Sequence, residues 1–451
     1  MYTVIIPIIL LFTVIMVKKI PKIGGNTAVA LLIAGAAALL LGGIYNPIKW
    51  AEAWISGIDR LSWVMALALV GSLYGETQGK IGALDTVVGF LRSLFGKSVR
   101  GLIAAVVIGI AVGGEAFGDG VAAATVIGIL VIPVLAGLEL SGEQIAAIIC
   151  SGAILGSINP PISQAVFLSA SILGINPDPA INITFLTVGL CFLIVILYFA
   201  YAFPKIKTIP EEMRPKETPW QIIKTGWRGL LPLFLIIVLI ILNSIYGINV
   251  CKILLGPVFT ILSNTPVLKG LSNTIVMILI LASAVTFFYK EVRSTGIGNL
   301  FVDALKNVKS SLVVQVCAAF FIGTLTFGGQ IDAVTAFARD LSPDIVKIGG
   351  AIALFVMAMI TGSQTSAQNI IFSFFGPILL QIGVDPVHAA LAGSHLASGG
   401  QSLPPANLTA LVTAALVASK IGKEVDPFKT MIYCIPMALA LGIIGFIFMY
   451  I

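Results

Sequence analysis

Two carboxyl side chains, Glu115 and Asp119, stand at the centre of an apolar stretch running over 101–138. Ionisable residues at membrane depth are costly and mark ion or proton pathways. Here they can ligate Na⁺, which takes oxygen ligands, or carry a proton. The competing use is plain solvation in an aqueous vestibule. A second apolar stretch, 348–384, is interrupted by Thr361-Gly362-Ser363-Gln364-Thr365-Ser366. Ser363, Gln364, Thr365 and Ser366 offer uncharged oxygens to the same ion, with capping and turn formation as their competing use. A third group surrounds two Pro-Pro pairs. Ser157, Asn159 and Ser163 flank Pro160-Pro161, and Gln401, Ser402, Asn407 and Thr409 flank Pro404-Pro405. These side chains can hydrogen-bond a carboxylate, and the carbonyls near Gly156 and Gly400 can face a cation. All seven arginines (60, 92, 100, 214, 228, 293 and 339) sit at span ends or in loops. A bound anion would therefore be held by helix ends and by Ser, Thr and Asn, not by an Arg clamp. His388 and His395 lie two turns apart on one helix face. Without an HExxH pattern they read as structural hydrogen-bonding residues.

The elements that must position these groups are broken helices. Pro160 and Pro404 lie 244 residues apart, and at that offset Gly118 falls on Gly362, Pro133 on Pro377, Ala153 on Ala397 and Gly156 on Gly400. The chain thus carries an internal repeat whose copies each hold a break, Gly156–Asn159 and Gly399–Leu403, ahead of the Pro-Pro pair. Backbone freed from helical bonding is tolerated at membrane depth only inside protein or along a cavity. Paired broken helices in repeated halves point to a transporter's binding site. At a break, the free N–H groups of one half-helix favour an anion and the free C=O groups of the other a cation. Simple proline kinks are the competing reading.

Composition agrees. The chain is 58% hydrophobic and 10% charged, with a mean hydropathy of +1.07. That excludes an ordinary soluble domain. The net charge of +6 reads as membrane topology, with the lipid bilayer rather than nucleic acid as the partner. The five cysteines form no CxxC pair and read as packing residues. The run Met1–Val17 is followed, not preceded, by Lys18-Lys19, which fits a retained first helix and not a cleaved signal. Apolar spans are predicted at about 1–17, 26–43, 61–78, 143–174, 183–203, 229–247, 270–289, 311–327, 386–417 and 430–451. The stretches 101–138 and 348–384 are each long enough for two full spans but read as re-entrant hairpins with polar tips, since the arm 101–112 is short for a crossing and a polar tip is useful only where it meets a site. With the hairpins uncrossed, five groups of Lys and Arg fall on one side, which is then cytoplasmic. The first hairpin opens inward and the second outward. The expected organisation is a first transmembrane helix at 1–25, a first repeat at 26–203 with hairpin 101–138 and broken helix 143–174, and a cytoplasmic linker at 204–228. A connecting helix and outer segment follow at 229–269, then an inverted second repeat at 270–451 with hairpin 348–384 and broken helix 386–417. Segments 81–97 and 331–341 read as interfacial helices.

Several runs are similar to the large membrane subunit of TRAP (tripartite ATP-independent periplasmic) transporters. They are Gly57-Ile-Asp59, Gly75-Glu76, Phe90–Gly96, Gly128–Pro133, Ile382-Gly-Val-Asp-Pro-Val-His388 and Leu403-Pro-Pro-Ala-Asn-Leu408. The resemblance spans most of the chain and places it in the wider ion-transporter superfamily of elevator-type carriers. It implies Na⁺-coupled uptake of a small organic acid at the plasma membrane, with a small membrane subunit and an extracytoplasmic substrate-binding protein as partners. The second tip lacks an acid, so H⁺ stays open beside Na⁺ as the coupling ion. No other cofactor is implied.

The reading is therefore an all-α polytopic membrane protein with two re-entrant hairpins and two discontinuous helices, acting as a secondary active transporter. A stand-alone organic anion symporter or antiporter of the same superfamily is the nearest rival. An intramembrane enzyme using Glu115 and Asp119 as an acid pair is the rival of another class, and the missing acid in the second copy argues against it. A channel would lack saturable, gradient-driven uptake.

Overall fold

The computed structural model describes residues 2–17, 19–21, 23–117, 120–206, 208–209, 211, 214–244, 248–330, 332–333 and 341–451. Among these residues the chain is built of helices and turns. In order, the first half holds α1 (Tyr2–Met16), α2 (Thr27–Leu41), α3 (Pro47–Lys80), α4 (Ala83–Phe95), α5 (Val99–Phe117), α6 (Gly120–Val126), α7 (Gly128–Ala136), α8 (Gly142–Ile158), α9 (Gln164–Leu173) and α10 (Asp178–Ala202). After it come α11 (Pro219–Ser244), α12 (Val250–Leu254) and α13 (Gly256–Asn264). The second half holds α14 (Thr274–Thr286), α15 (Lys290–Thr295), α16 (Ile297–Phe327), α17 (Pro343–Thr361), α18 (Gln364–Ala367), a π-helical turn Gln368–Phe372, α19 (Ser373–Gln381), α20 (Pro386–Gln401), α21 (Leu408–Ile421), α22 (Pro427–Tyr433) and α23 (Ile435–Ile447).

Local signals start these helices. Asn46 caps α3 ahead of Pro47, Ser141 and Gln144 form a capping box on α8, and Asp385 caps α20 ahead of Pro386. A cap oxygen satisfies N–H groups that the first turn leaves free. Ser141 and Asp385 occupy equivalent repeat positions, so the two broken helices begin alike. Five described helices are long and apolar enough to cross a bilayer: 47–80, 99–117, 178–202, 219–240 and 343–361. On α10, Leu186, Leu190, Leu193 and Leu197 are exposed along one face. Such a stripe is at home against lipid tails, where leaving it uncovered costs nothing.

The packing is reciprocal. α2 lies on α16, α14 lies on α3, and α3 and α16 pack on each other. Likewise α9 packs on α20 while α21 packs on α8. The α3–α16 crossing needs glycine. A Cβ at Gly57 would lie 1.8 Å from the Ala319 carbonyl oxygen, and one at Gly323 would lie 1.9 Å from that of Ala53. Because backbone carbonyls stand in the way, Gly57→Ala or Gly323→Ala must push the helices apart. Each substitution is expected to destabilise by about 1–3 kcal/mol, measured as a lower unfolding midpoint in detergent. An unchanged midpoint would show that the crossing is not tight.

Three expectations are corrected. The span predicted to begin at 61 begins at Pro47, because polar residues such as Lys49 and Glu52 sit on an exposed helix face; the span predicted at 311–327 matches the second limb of α16, Leu312–Phe327, which is bent by 57° from Ile297–Lys309. The span predicted from 229 begins at Pro219, inside the supposed linker. Thr218 and Gln221 cap it, with Gln221 N–H donating to Thr218 Oγ1 at 3.3 Å and Thr218 N–H to Gln221 Oε1 at 2.7 Å. The first hairpin arm is not short: α5 runs through Glu115 to Phe117, 19 residues, or about 28 Å. The segment 81–97 does hold a helix, Ala83–Phe95, strongly amphipathic. Its counterpart 331–341 lies almost wholly outside the described residues.

Candidate functional site

Both broken helices end and restart in the same way. The Asn159 N–H donates to the Gly156 carbonyl at 3.2 Å, and the Leu403 N–H, its equivalent, to the Gly400 carbonyl at 3.1 Å. Five or six non-helical residues follow, containing the Pro-Pro pair, which cannot supply ladder N–H groups. The second half-helices are then capped by equivalent side chains. Ser163 Oγ accepts the Val166 N–H at 3.3 Å, and Asn407 Oδ1 accepts the Ala410 N–H at 2.9 Å.

The glycines before the breaks do not end the helices, as the sequence pattern implied; α8 and α20 run through them to Ile158 and Gln401. Their purpose is close approach. A Cβ at Gly156 would lie 2.5 Å from the Ala111 carbonyl oxygen, and one at Gly400 would lie 2.2 Å from that of Phe355, the equivalent residue. Each hairpin's first arm therefore touches its own broken helix at the level of the break.

At the first tip, Asn159 Nδ2 donates to Glu115 Oε2 at 2.8 Å and to the Pro160 carbonyl at 3.0 Å. The sequence-predicted acid and break amide are thus in contact. α3 packs against the end of α5: the Phe117 ring lies where a Gly75 Cβ would be, at 2.4 Å, and Tyr74 is buried. Asp119 and Gly118 lie outside the described residues. The equivalents of Glu115 and Asn159 in the second half are Met359 and Leu403, so this polar pair exists once.

The second tip turns at Gly362, whose φ of +63° is left-handed. A side chain there would also strike the Ala406 carbonyl, 1.7 Å from an added Cβ. This seats the tip on the second break. Ser363 caps α18, accepting the Ser366 N–H at 3.2 Å. Gln364 then reaches both halves. Its backbone N–H donates to Gln401 Oε1 at 2.9 Å and its Nε2 to Ser157 Oγ at 3.1 Å. Its Oε1 accepts from Ser398 Oγ at 2.5 Å and Gln401 Nε2 at 3.2 Å. Ser157 and Gln401 are equivalent repeat positions, so one side chain bridges the two breaks.

Other predicted residues are placed differently. Ser402 Oγ donates to the Ser398 carbonyl at 2.8 Å. Asn407 is fully engaged, its Nδ2 donating to the Ser402 carbonyl at 3.1 Å and lying 3.6 Å from Cys150 Sγ. Thr365 and Thr409 are buried without a role in these networks. His395 bonds Thr187 Oγ1 at 2.9 Å and the Leu391 carbonyl at 2.9 Å, and His388 the Ile451 carbonyl at 2.8 Å. Among the described residues, no three His, Cys, Asp or Glu side chains converge as a metal site. Ser398 was missed, although it sits one turn before Gln401 on the same helix face. A surface cleft of about 560 Å³, lined by Glu52, Ile55, Ser56, Asp59, Arg60 and Lys269, contains none of the residues above. Its Asp59 is tied to Lys269 at 3.1 Å and to the Val267 N–H at 2.6 Å, which anchors the loop after α13.

A lipid-facing helical body with two broken helices meeting hairpin tips defines a membrane carrier of the secondary-transporter class. More specifically, the chain belongs to the tripartite ATP-independent periplasmic transporter family, as its DctM component; the family profile matches residues 5–450. Among solved structures, the chain is similar to the YdaH transporter of Alcanivorax borkumensis, described as having an unusual topology. The TM-score is 0.59 at 16% identity, covering 89% of this chain and 86% of that one, a likeness of fold. No curated protein sequence matches the chain.

Proposed function

We propose that this chain is the large permease subunit of a TRAP-type system that takes up a small organic acid with Na⁺. It works at the plasma membrane with a small membrane subunit and an extracytoplasmic binding protein. The observation that carries this reading is the bridge from Gln364 to Ser157 and Gln401, which joins one tip to both breaks. Half-helix ends there present N–H groups toward an anion and C=O groups toward a cation. The Glu115–Asn159 pair adds an acidic oxygen at the first tip, the natural place for the cation. The two halves lie inverted in the bilayer, so the hairpins open to opposite faces, and their joint movement against α3 and α16 carries the cargo across.

Uptake of labelled organic acids into proteoliposomes tests this. Transport should require an inward Na⁺ gradient and both partners. Equal uptake on a proton gradient in Na⁺-free buffer would overturn Na⁺ coupling, and full uptake by this chain alone would favour a stand-alone carrier. The topology has its own test. Ser98→Cys and Ile345→Cys, each before a hairpin, should react with impermeant maleimide from opposite sides of the membrane. Labelling from one side only would sink the inverted arrangement.

A further inference from the structure

We propose that the Gln364 carboxamide is a built-in occupant of the cargo site, standing where a 2-hydroxy or 2-amino carboxylate binds once the second tip withdraws. This rests on the transport reading above and goes further, because it names the chemistry of the cargo.

The hydrogen bonds specify that chemistry. Two donors converge on Gln364 Oε1, from Ser398 Oγ at 2.5 Å and Gln401 Nε2 at 3.2 Å. A carboxylate oxygen has the same shape and acceptor directions as an amide oxygen, and it makes charge-assisted bonds roughly twice as strong. It therefore displaces a neutral amide at these donors. The other end of the amide meets a different partner. Ser157 Oγ gives its only proton to the Ile154 carbonyl at 2.7 Å, so toward Gln364 Nε2, at 3.1 Å, it can only accept. This assigns the amide's orientation, and it also rejects a second carboxylate oxygen at that spot. The incoming molecule must bring a donor there: a hydroxyl or ammonium on the carbon next to its carboxylate.

The position is suited to a displaceable occupant. Gln364 sits at a hairpin tip, just after the left-handed turn at Gly362, and its bonds run to two other helices, α8 and α20. The equivalent residue at the first tip is Gly120, which has no side chain, so the occupant exists once. Both breaks contribute, through equivalent positions 157 and 401, which places the site where the two halves meet.

Chemical rescue decides the matter without partners, membranes or ion gradients, so its outcome is separate from that of the transport assay. Gln364→Ala leaves a space of about one acetamide, lined by Ser157, Ser398 and Gln401. The probes are the sodium salts glycolate and acetate, and neutral acetamide. Binding to the purified full chain is read by saturation-transfer NMR and by the unfolding midpoint. In Gln364→Ala, glycolate should bind about tenfold more tightly than acetate, and acetate more tightly than acetamide. In the parent, glycolate binding should be at least about tenfold weaker. Adding Ser398→Ala to Gln364→Ala should abolish the glycolate signal. If Gln364→Ala does not fold, Gln364→Ser vacates the same three side-chain bonds and takes its place. Acetamide binding better than both anions would identify Gln364 as an internal brace and overturn the proposal. So would equal glycolate binding by parent and variant.

Discussion

Pro404→Ala/Pro405→Ala is expected to abolish transport while leaving a folded protein. Between Gln401 and Leu408 the chain is non-helical, and the second tip rests there through Gly362 against the Ala406 carbonyl. A proline inside a helix costs about 3 kcal/mol or more relative to alanine. Two prolines therefore hold the break open by roughly 6 kcal/mol, more than capping by Asn407 alone supplies. With both removed, the helix can run on from Gln401. The C=O and N–H groups freed at the break are then withdrawn, and Asn407 turns away from its cap position. The hydrophobic body, built on α3 and α16, is untouched. Binding by titration and uptake in proteoliposomes should both fall below detection, with an unfolding midpoint close to the parent's. A variant that binds and transports like the parent would show that the break is only a kink.

Glu115→Ala should raise the half-saturating Na⁺ concentration of transport. Glu115 is the one described acid joined to a break, through Asn159 at 2.8 Å. A hydrogen bond to a charged group is worth roughly 1.5–3 kcal/mol, about 10- to 150-fold in affinity. Asn159→Ala removes the same bond from the other side and should shift the Na⁺ requirement in the same direction by a smaller factor. The shift in Na⁺ dependence separates an ion-site role from a structural one. A purely structural pair would lower the maximal rate and stability together and leave the Na⁺ half-saturation alone. Rescue of the parent value by Glu115→Asp would support an oxygen ligand. An unchanged Na⁺ requirement in both variants would remove Glu115 from the ion site.

The chemistry of the two halves differs although their backbones repeat. The caps, the bonds that close the breaks and the close approaches at Gly156 and Gly400 all recur at one offset. The polar side chains do not: Glu115 and Asn159 have apolar equivalents, and Gln364 has a glycine. A duplicated frame with unlike side chains gives one acidic corner and one amide bridge.

Much of this was legible in the residues themselves. Class, breaks and repeat follow from local properties: long apolar runs that only lipid accommodates, and Pro-Pro pairs that lack N–H groups wherever they fall in the chain. The capping power of Ser141, Ser163, Asp385 and Asn407 is also local, since each oxygen serves a backbone two or three residues away. What the tertiary structure decided is which polar groups meet. Gln364 finds Ser157 across 207 residues of sequence, and no periodicity or composition encodes that distance. It follows from α8 and α20 being packed so closely on the hairpin arms that only glycine fits at 156 and 400. The same packing seats Asn407 as a cap and brings in Ser398, because a buried polar group takes whichever partner the fold puts within about 3 Å.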